Sequence, residues 1–308
     1  MEIPLERTIG ETYKFTFSNI LSIFGIAWLP MLIMVVAIGA MIWAIFPDLQ
    51  SVDWSANADV TQNQAAFAHA GFKIALAIFP LEFLFYLLFA MIMVGIQRKA
   101  LGLHEGPVFV YFSLGGAVWR MLGAMIATVI LIVVGGGLAG AAVALVFWAG
   151  TQFNLPSIYG LVEFIAIVAA VCWFFYMTMR LMFFVPTVVV AEGGFGIARS
   201  WELGGGNFWR IVVVVLACGL APAMVISMVS NIVLMPFMMA PMMHFQEAVN
   251  AHQVIPPQEM FSMFAQSFRQ MLPFFIVYEV ITFPILIGLQ TSMSAFAYRN
   301  ITRSEVAA

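Results

Sequence analysis

The chain has 308 residues, of which 63% are hydrophobic and 9% charged, with a mean hydropathy of +1.02. A sequence so composed cannot wrap a core in a water-compatible surface, which excludes an ordinary soluble domain and makes lipid its main solvent. The formal net charge of −3, with Lys and Arg gathered only beside apolar runs, excludes a nucleic-acid partner.

At the N-terminus Leu5, Ile9, Tyr13 and Phe17 recur every fourth residue, while Glu6, Arg7, Glu11 and Lys14 take other faces. This pattern predicts an amphipathic helix over residues 3–18 lying in the membrane interface. The apolar run that follows is far longer than the core of a signal peptide and is expected to remain as a helix. Six charge-poor runs follow in order, at about 20–46, 74–96, 121–148, 161–186, 211–236 and 272–296. Each reaches the roughly 20 residues that a helix rising about 1.5 Å per residue needs to cross a hydrocarbon core of about 30 Å. Backbone amides in lipid must be satisfied within the segment, so even the β-branched string at 212–215 is expected to be helical. The fold class is therefore all-α, a polytopic helical bundle with six transmembrane helices and short interfacial helices, forming one integral membrane domain over residues 1–308.

Orientation follows from the basic residues, which concentrate on the cytoplasmic side of membrane proteins. Placing the N-terminus inside puts Arg7, Lys14, Arg98, Lys99, Arg120, Arg180, Arg199, Arg210, Arg299 and Arg303 on one side, ten of the twelve cations, against Lys73 and Arg269 on the other. The first outer loop adds Asp48, Asp53 and Asp59. Both termini are expected in the cytoplasm.

Further interfacial helices are expected at 108–119, 195–203 and 257–270. The segment at 108–119 carries Phe109, Tyr111, Phe112 and Trp119 before Arg120. In the segment at 195–203, Ile197 and Trp201 share a face and Gly204 is the expected C-cap, after which Trp209 and Arg210 begin the next span. Trp201, Trp209, Arg199 and Arg210 are the expected interfacial anchors, with the two arginines in reach of lipid phosphates. The last segment follows Pro256 and Pro257 and sets Phe261, Phe264, Phe268 and Leu272 on one stripe. Every odd-numbered span thus has a short segment before it. Every even-numbered span carries a carboxylate in its outer half and a cation near its inner end: Glu82 with Arg98, Glu163 with Arg180, and Glu279 with Arg299. This predicts three repeats of interfacial segment plus transmembrane hairpin, arranged about a pseudo-threefold axis.

Glu82, Glu279 and Glu163 form the candidate intramembrane polar site, because an ionisable group in a span is costly and usually faces the bundle interior or a wet cavity. Glu163, two residues into its span, is expected to meet water at the interface. A methionine-rich outer stretch, with Met235, Met238, Met239, Met242, Met243, His244, His252, Met260 and Met263, has the soft donors of a Cu(I) site. With 22 methionines in the chain, packing is the expected role, and no metal or cofactor is assigned. Cys172 and Cys218 are expected to be buried small hydrophobes, Gly136 and Gly140 to serve close helix packing, and the sequon at Asn300 to be fortuitous. No catalytic motif occurs, and the glycines at 204–206 lack the Lys-Ser and preceding strand of a phosphate cradle. The expectation is a protein that is not an enzyme.

The strings ARSWELGGGNFWR at 198–210 and TIGETYKFTFSNI at 8–20 resemble the glycerophosphoryl diester phosphodiesterase membrane-domain family and related bacterial inner-membrane proteins. The resemblance extends over the six-span layout and implies a multi-pass protein of the bacterial inner (cytoplasmic) membrane. The soluble phosphodiesterase barrel fused to some members takes about 250 residues. The longest stretch here outside the spans is 237–271, so that activity is not implied. Together these features predict a lipid-associated accessory or scaffold component, with membrane lipids and another envelope membrane protein or enzyme as partners. The alternative is a small transporter or channel that uses Glu82 and Glu279. The topology is tested with single cysteines at Ser51 and Gln253 in a background lacking Cys172 and Cys218. Both should react with a membrane-impermeant thiol reagent in intact cells, and labelling at Ser304 instead would reverse the orientation.

Overall fold

A computed structural model describes residues 2–50, 60–153, 159–250 and 257–307. Among them the regular structure is helical throughout: α1 (Leu5–Ser18), α2 (Ile20–Gln50), α3 (Val60–Ala100), α4 (Gly116–Gln152), α5 (Tyr159–Met182), α6 (Val185–Glu192), α7 (Ile197–Gly204), α8 (Phe208–Val215), α9 (Ala221–Asn250) and α10 (Pro257–Ala307). Six stretches are long and apolar enough to cross a membrane: Ile20–Ile45, Ala68–Ala100, Gly116–Gln152, Tyr159–Glu192, Phe208–Phe237 and Ala265–Arg303. The chain is a multi-pass, all-α membrane protein. Asp53, Asp59, His252 and Pro256 lie outside the described residues, as do the side chains of Asp48, Met238, His244, Met260, Phe261 and Phe264.

Helices α2 and α3, α4 and α5, and α9 and α10 pair as three hairpins. The end of the bundle that carries both termini and ten of the twelve cations is called here the basic end. Nearly all the buried apolar residues lie in that half, in clusters built around Met91 and Met121, Phe184 and Ile211, and Ile23 and Ile96. Towards the opposite end the chain does not cover its own helices. Trp43 is 80% exposed, Phe79 76%, Leu138 66% and Ile232 72%, so lipid must cover them.

Three segments fill the gaps between hairpins at the basic end. Helix α1 packs along α10 and against the start of the α8–α9 span. Thr8, Thr12 and Thr16 form its buried stripe, while Leu5, Ile9 and Tyr13 pack on the cluster around Phe184. The Tyr13 hydroxyl donates to the carbonyl of Ala217 at 2.8 Å, nine residues past Phe208 and thus on the order of 13 Å into that span by helical rise. The expected 3–18 helix therefore exists but leans into the bundle rather than lying flat with an apolar face in lipid. Ala217 belongs to a π turn, Leu216–Leu220, between α8 and α9. Pro222 withholds the amide that would close an ordinary turn on Cys218, and its ring crowds the same carbonyl, so the helix widens there.

The second segment differs from expectation. Residues 108–115 form no helix, and α4 starts only at Gly116. Pro107 opposes helix at its start, and the backbone finds its partners on α2 and α3 instead. The Trp28 indole donates to the carbonyl of Phe109 at 2.9 Å, and the Val108 amide donates to Ser22 at 3.4 Å. At Gly25 this backbone presses on α2 so closely that a Cβ would lie 2.0 Å from the Val108 carbonyl oxygen, so only glycine fits. The third segment is α7, as predicted, which packs on α5 and α6. Its Ser200 hydroxyl serves the last carbonyls of α5, at Arg180 (3.0 Å) and Leu181 (3.1 Å). Gly204 stays helical against Arg180, and the cap falls to Gly205.

Each segment thus packs on the hairpin before its own, and α1, which has none before it, packs on the last. The stretch 257–270 does not form a separate surface helix: α10 runs unbroken from Pro257 into the span. A break next to lipid would strand several amides at once, a larger cost than the single one that Pro273 lacks.

Helix α1 is latched to α10 by charge. Glu11 accepts from Arg7 Nε at 3.1 Å, Arg299 Nη2 at 3.1 Å and Asn300 Nδ2 at 3.2 Å, and Asn300 also donates to Thr8. Partial burial pushes the Glu11 carboxyl up, but the hydrogen bonds from Arg7, Arg299 and Asn300 and the charge of Arg299 outweigh it and hold it below the ordinary carboxylate value. Because its folded-state pKa is depressed, the latch stabilises the fold above the unfolded carboxylate pKa and is lost as pH falls through the lower, folded one. Acidification below about pH 4, the ordinary Glu range, should therefore lower the protection of the α1 amides against hydrogen exchange, relative to their intrinsic rate at each pH. Glu11→Gln should exchange faster already at pH 7 and lose most of this pH dependence, and an unchanged pH profile would remove the latch.

Candidate functional site

The predicted carboxylates lie in the half of the bundle that the chain leaves uncovered. Glu82 is exposed and Glu279 half-buried, and among the described residues neither has a hydrogen-bonding or ion-pair partner. Glu163 is half-buried near the far end of the α4–α5 hairpin, beside Gly150. Glu82 precedes Gln97 on α3 by fifteen residues, and Glu279 precedes Ser294 on α10 by the same fifteen. Fifteen residues are four turns plus about 60°, so each carboxylate shares roughly one helix face with its partner residue and sits on the order of 22 Å from it along the axis.

Those partner residues were not singled out from sequence, yet both are buried in a hydrogen-bonded polar cluster. Gln97 donates through Nε2 to the Thr291 carbonyl (2.6 Å) and to Ser294 Oγ (3.0 Å). Thr187, on α6, contacts Gln97 Oε1 at 3.0 Å and Ser294 Oγ at 2.8 Å. Gln97 and Thr187 are 0% exposed, Thr291 2% and Ser294 3%. The three even-numbered spans are joined here by one knot of uncharged side chains, and it contains no titratable group. A proton relay along the bundle axis would have to cross it without an acid or base. The only cue in the sequence was a glutamine one residue before Arg98, which resembles any other polar residue at a span end.

Neither of two cavities between the described residues is lined by Glu82, Glu163 or Glu279. One, about 450 Å³, is an apolar groove between α4 and α5 walled by Leu138, Ala142, Val146, Ala166, Ala170 and Trp173. The other, about 550 Å³, lies at the basic end between the α1–α2 junction and the non-helical segment, walled by residues 17–22, Lys99, Gly106 and Pro107.

The expected anchors divide. Trp209 is 75% exposed, as an interfacial ring should be, but Trp201 is 38% exposed with the Arg180 guanidinium 3.9 Å from its ring centroid. Arg199 and Arg210, expected to reach lipid phosphates, instead engage the protein. Arg199 pairs with Glu202 at 3.3 Å and Glu192 at 3.6 Å. Arg210 pairs with Glu2 and donates to the Ile3 carbonyl at 2.8 Å, while the Ile3 amide donates to Asn207 Oδ1 at 3.0 Å. Glu202 is a neighbour on α7 itself and Glu192 ends the preceding helix, whereas Glu2 is brought to Arg210 only by the fold. Cys218 is buried as expected, but Cys172 is exposed on α5, where lipid covers an apolar side chain equally well. Met235, Met239, Met242 and Met243 are exposed. Gly136 lets Phe174 approach α4, which is packing within a hairpin, whereas nothing comes near Gly140. Asn300, the residue of the sequon, is buried in the latch.

Replacing Gln97 with leucine should leave Thr187, Ser294 and the Thr291 carbonyl short of partners, at a cost of about 1 to 3 kcal/mol. Thermal unfolding in detergent should show that loss, while Glu82→Leu changes little; the reverse order would remove the knot from its central place. Searches of protein-family models, curated proteins and solved structures find no match to this chain.

Proposed function

We propose that the chain is a non-enzymatic, lipid-associated accessory or scaffold protein of the bacterial inner (cytoplasmic) membrane, with both termini cytoplasmic. It would serve membrane lipids and another envelope membrane protein or enzyme. The observation that carries this reading is the contrast between the halves. The basic half is tied shut by uncharged hydrogen bonds and docked segments, and the opposite half offers broad apolar surface with no polar partner for its carboxylates. A packed bundle of this kind holds position or binds lipid more readily than it conducts. The two strings similar to the glycerophosphoryl diester phosphodiesterase membrane-domain family fit the same reading. Thr8 and Glu11 from one, and Ser200, Asn207 and Arg210 from the other, all make joints between elements.

The second reading, transport or conduction through Glu82 and Glu279, is favoured by the fifteen-residue register that both share with the knot. The two readings part over one substitution. Glu279→Gln keeps size and hydrogen-bonding capacity but removes the titratable proton. On the accessory reading it leaves expression and thermal stability unchanged, and proteoliposomes show no proton- or cation-dependent flux with either version. A flux that Glu279→Gln abolishes without unfolding the protein would replace this reading with transport.

A further inference from the structure

We propose that the cavity at the α1–α2 junction seats the phosphate of an anionic phospholipid drawn from the leaflet at the basic end. The inference rests on the lipid-associated reading and narrows it to one site and one headgroup chemistry. The cavity, about 550 Å³, is bounded by residues 17–22, Lys99, Gly106 and Pro107. Lys99 is half-buried and fixed by one hydrogen bond, Nζ to the Gly106 carbonyl at 2.6 Å, which leaves two of its three N–H donors for a ligand. Ser22 is 7% exposed; its oxygen receives the Val108 amide, and its hydroxyl proton has no acceptor among the described residues. No carboxylate lines the cavity. Lys14 and Arg98, next to it in the chain, are exposed with no acidic partner for their side chains among the described residues.

Charge alone would suit any phosphate. The surroundings select a lipid. Beside the cavity Leu21 is 77% exposed, Phe17 55%, Phe109 74% and Val110 57%. An acyl chain attached to the seated phosphate would run over these side chains, which a free anion would leave bare.

The test uses the full chain in a mild detergent, with phosphatidylglycerol or phosphatidylcholine added and bound lipid counted by native mass spectrometry. Phosphatidylglycerol should bind in preference to phosphatidylcholine at one site per chain. Lys99→Gln should weaken that binding by about tenfold, the effect of losing one charge-assisted contact. Lys99→Arg should restore it, and Ser22→Ala should weaken it less. Thermal midpoints of the variants, measured alongside, separate lost binding from lost folding; if Lys99→Gln unfolds, Ser22→Ala and Lys99→Arg carry the comparison. Equal binding of the two lipids would overturn the proposal, as would retention of phosphatidylglycerol by a folded Lys99→Gln or displacement of the lipid by inorganic phosphate. Phosphatidylglycerol held elsewhere and insensitive to Lys99 would overturn this site while leaving lipid association intact. A Glu279-dependent flux would overturn the accessory reading without touching Lys99.

Discussion

The amide of Gln97 is fully buried, and both its donors and its acceptor are engaged by two other transmembrane spans. Apolar packing between helices in lipid gains little from the hydrophobic effect, because lipid tails are as apolar as the side chains they replace. What distinguishes the native arrangement of three hairpins from others with similar apolar faces is therefore the need to satisfy a few polar groups. Gln97, Thr187 and Ser294 meet this need only when α3, α6 and α10 converge, and that convergence sets the level at which the hairpins come together.

The three segments at the basic end follow from the same requirement. Hairpins joined near one end leave wedge-shaped gaps beside the join, and each gap is closed by a piece of chain that brings its own hydrogen bonds. Helix α1 supplies a threonine stripe, a tyrosine for the carbonyl in the π turn, and a glutamate for Arg299. The non-helical stretch supplies one amide and one carbonyl to α2. Helix α7 supplies a serine to the carbonyls that end α5. Three different local structures do one job, which explains why the repeat is faint in the sequence.

Function follows from where polarity is and is not satisfied. The amide of the knot and the carboxylate of the latch have their partners within the chain, so they hold structure. Lys99 and Ser22 keep donors to spare, in a cavity with no carboxylate and with apolar side chains at its mouth. Glu82 and Glu279 have no partner among the described residues, and they lie in the half that lipid covers. A protein organised in this way meets the bilayer over most of its surface, and at one place it can meet a headgroup.

The amino-acid sequence by itself determined the six helices, their approximate ends, the gathering of cations at one end and the helices α1 and α7. Each follows from a local rule: a run of apolar residues long enough to cross, a period near 3.6, or the obligation of every amide in lipid to find its carbonyl four residues away. Tertiary structure alone decided the rest. The stretch at 108–115 is not helical because Gly25 gives its backbone a place to press, and the end of α10 is continuous with its span because a break beside lipid strands amides. Gln97, one polar residue near a basic one in the chain, became the centre of the bundle because its partners are 90 and 197 residues away. Arg210, which by its neighbours in sequence belonged to lipid phosphates, went to Glu2 instead, 208 residues away. A side chain's periodicity records what its own helix needs, but the partner that satisfies it is fixed only when separate helices are brought together.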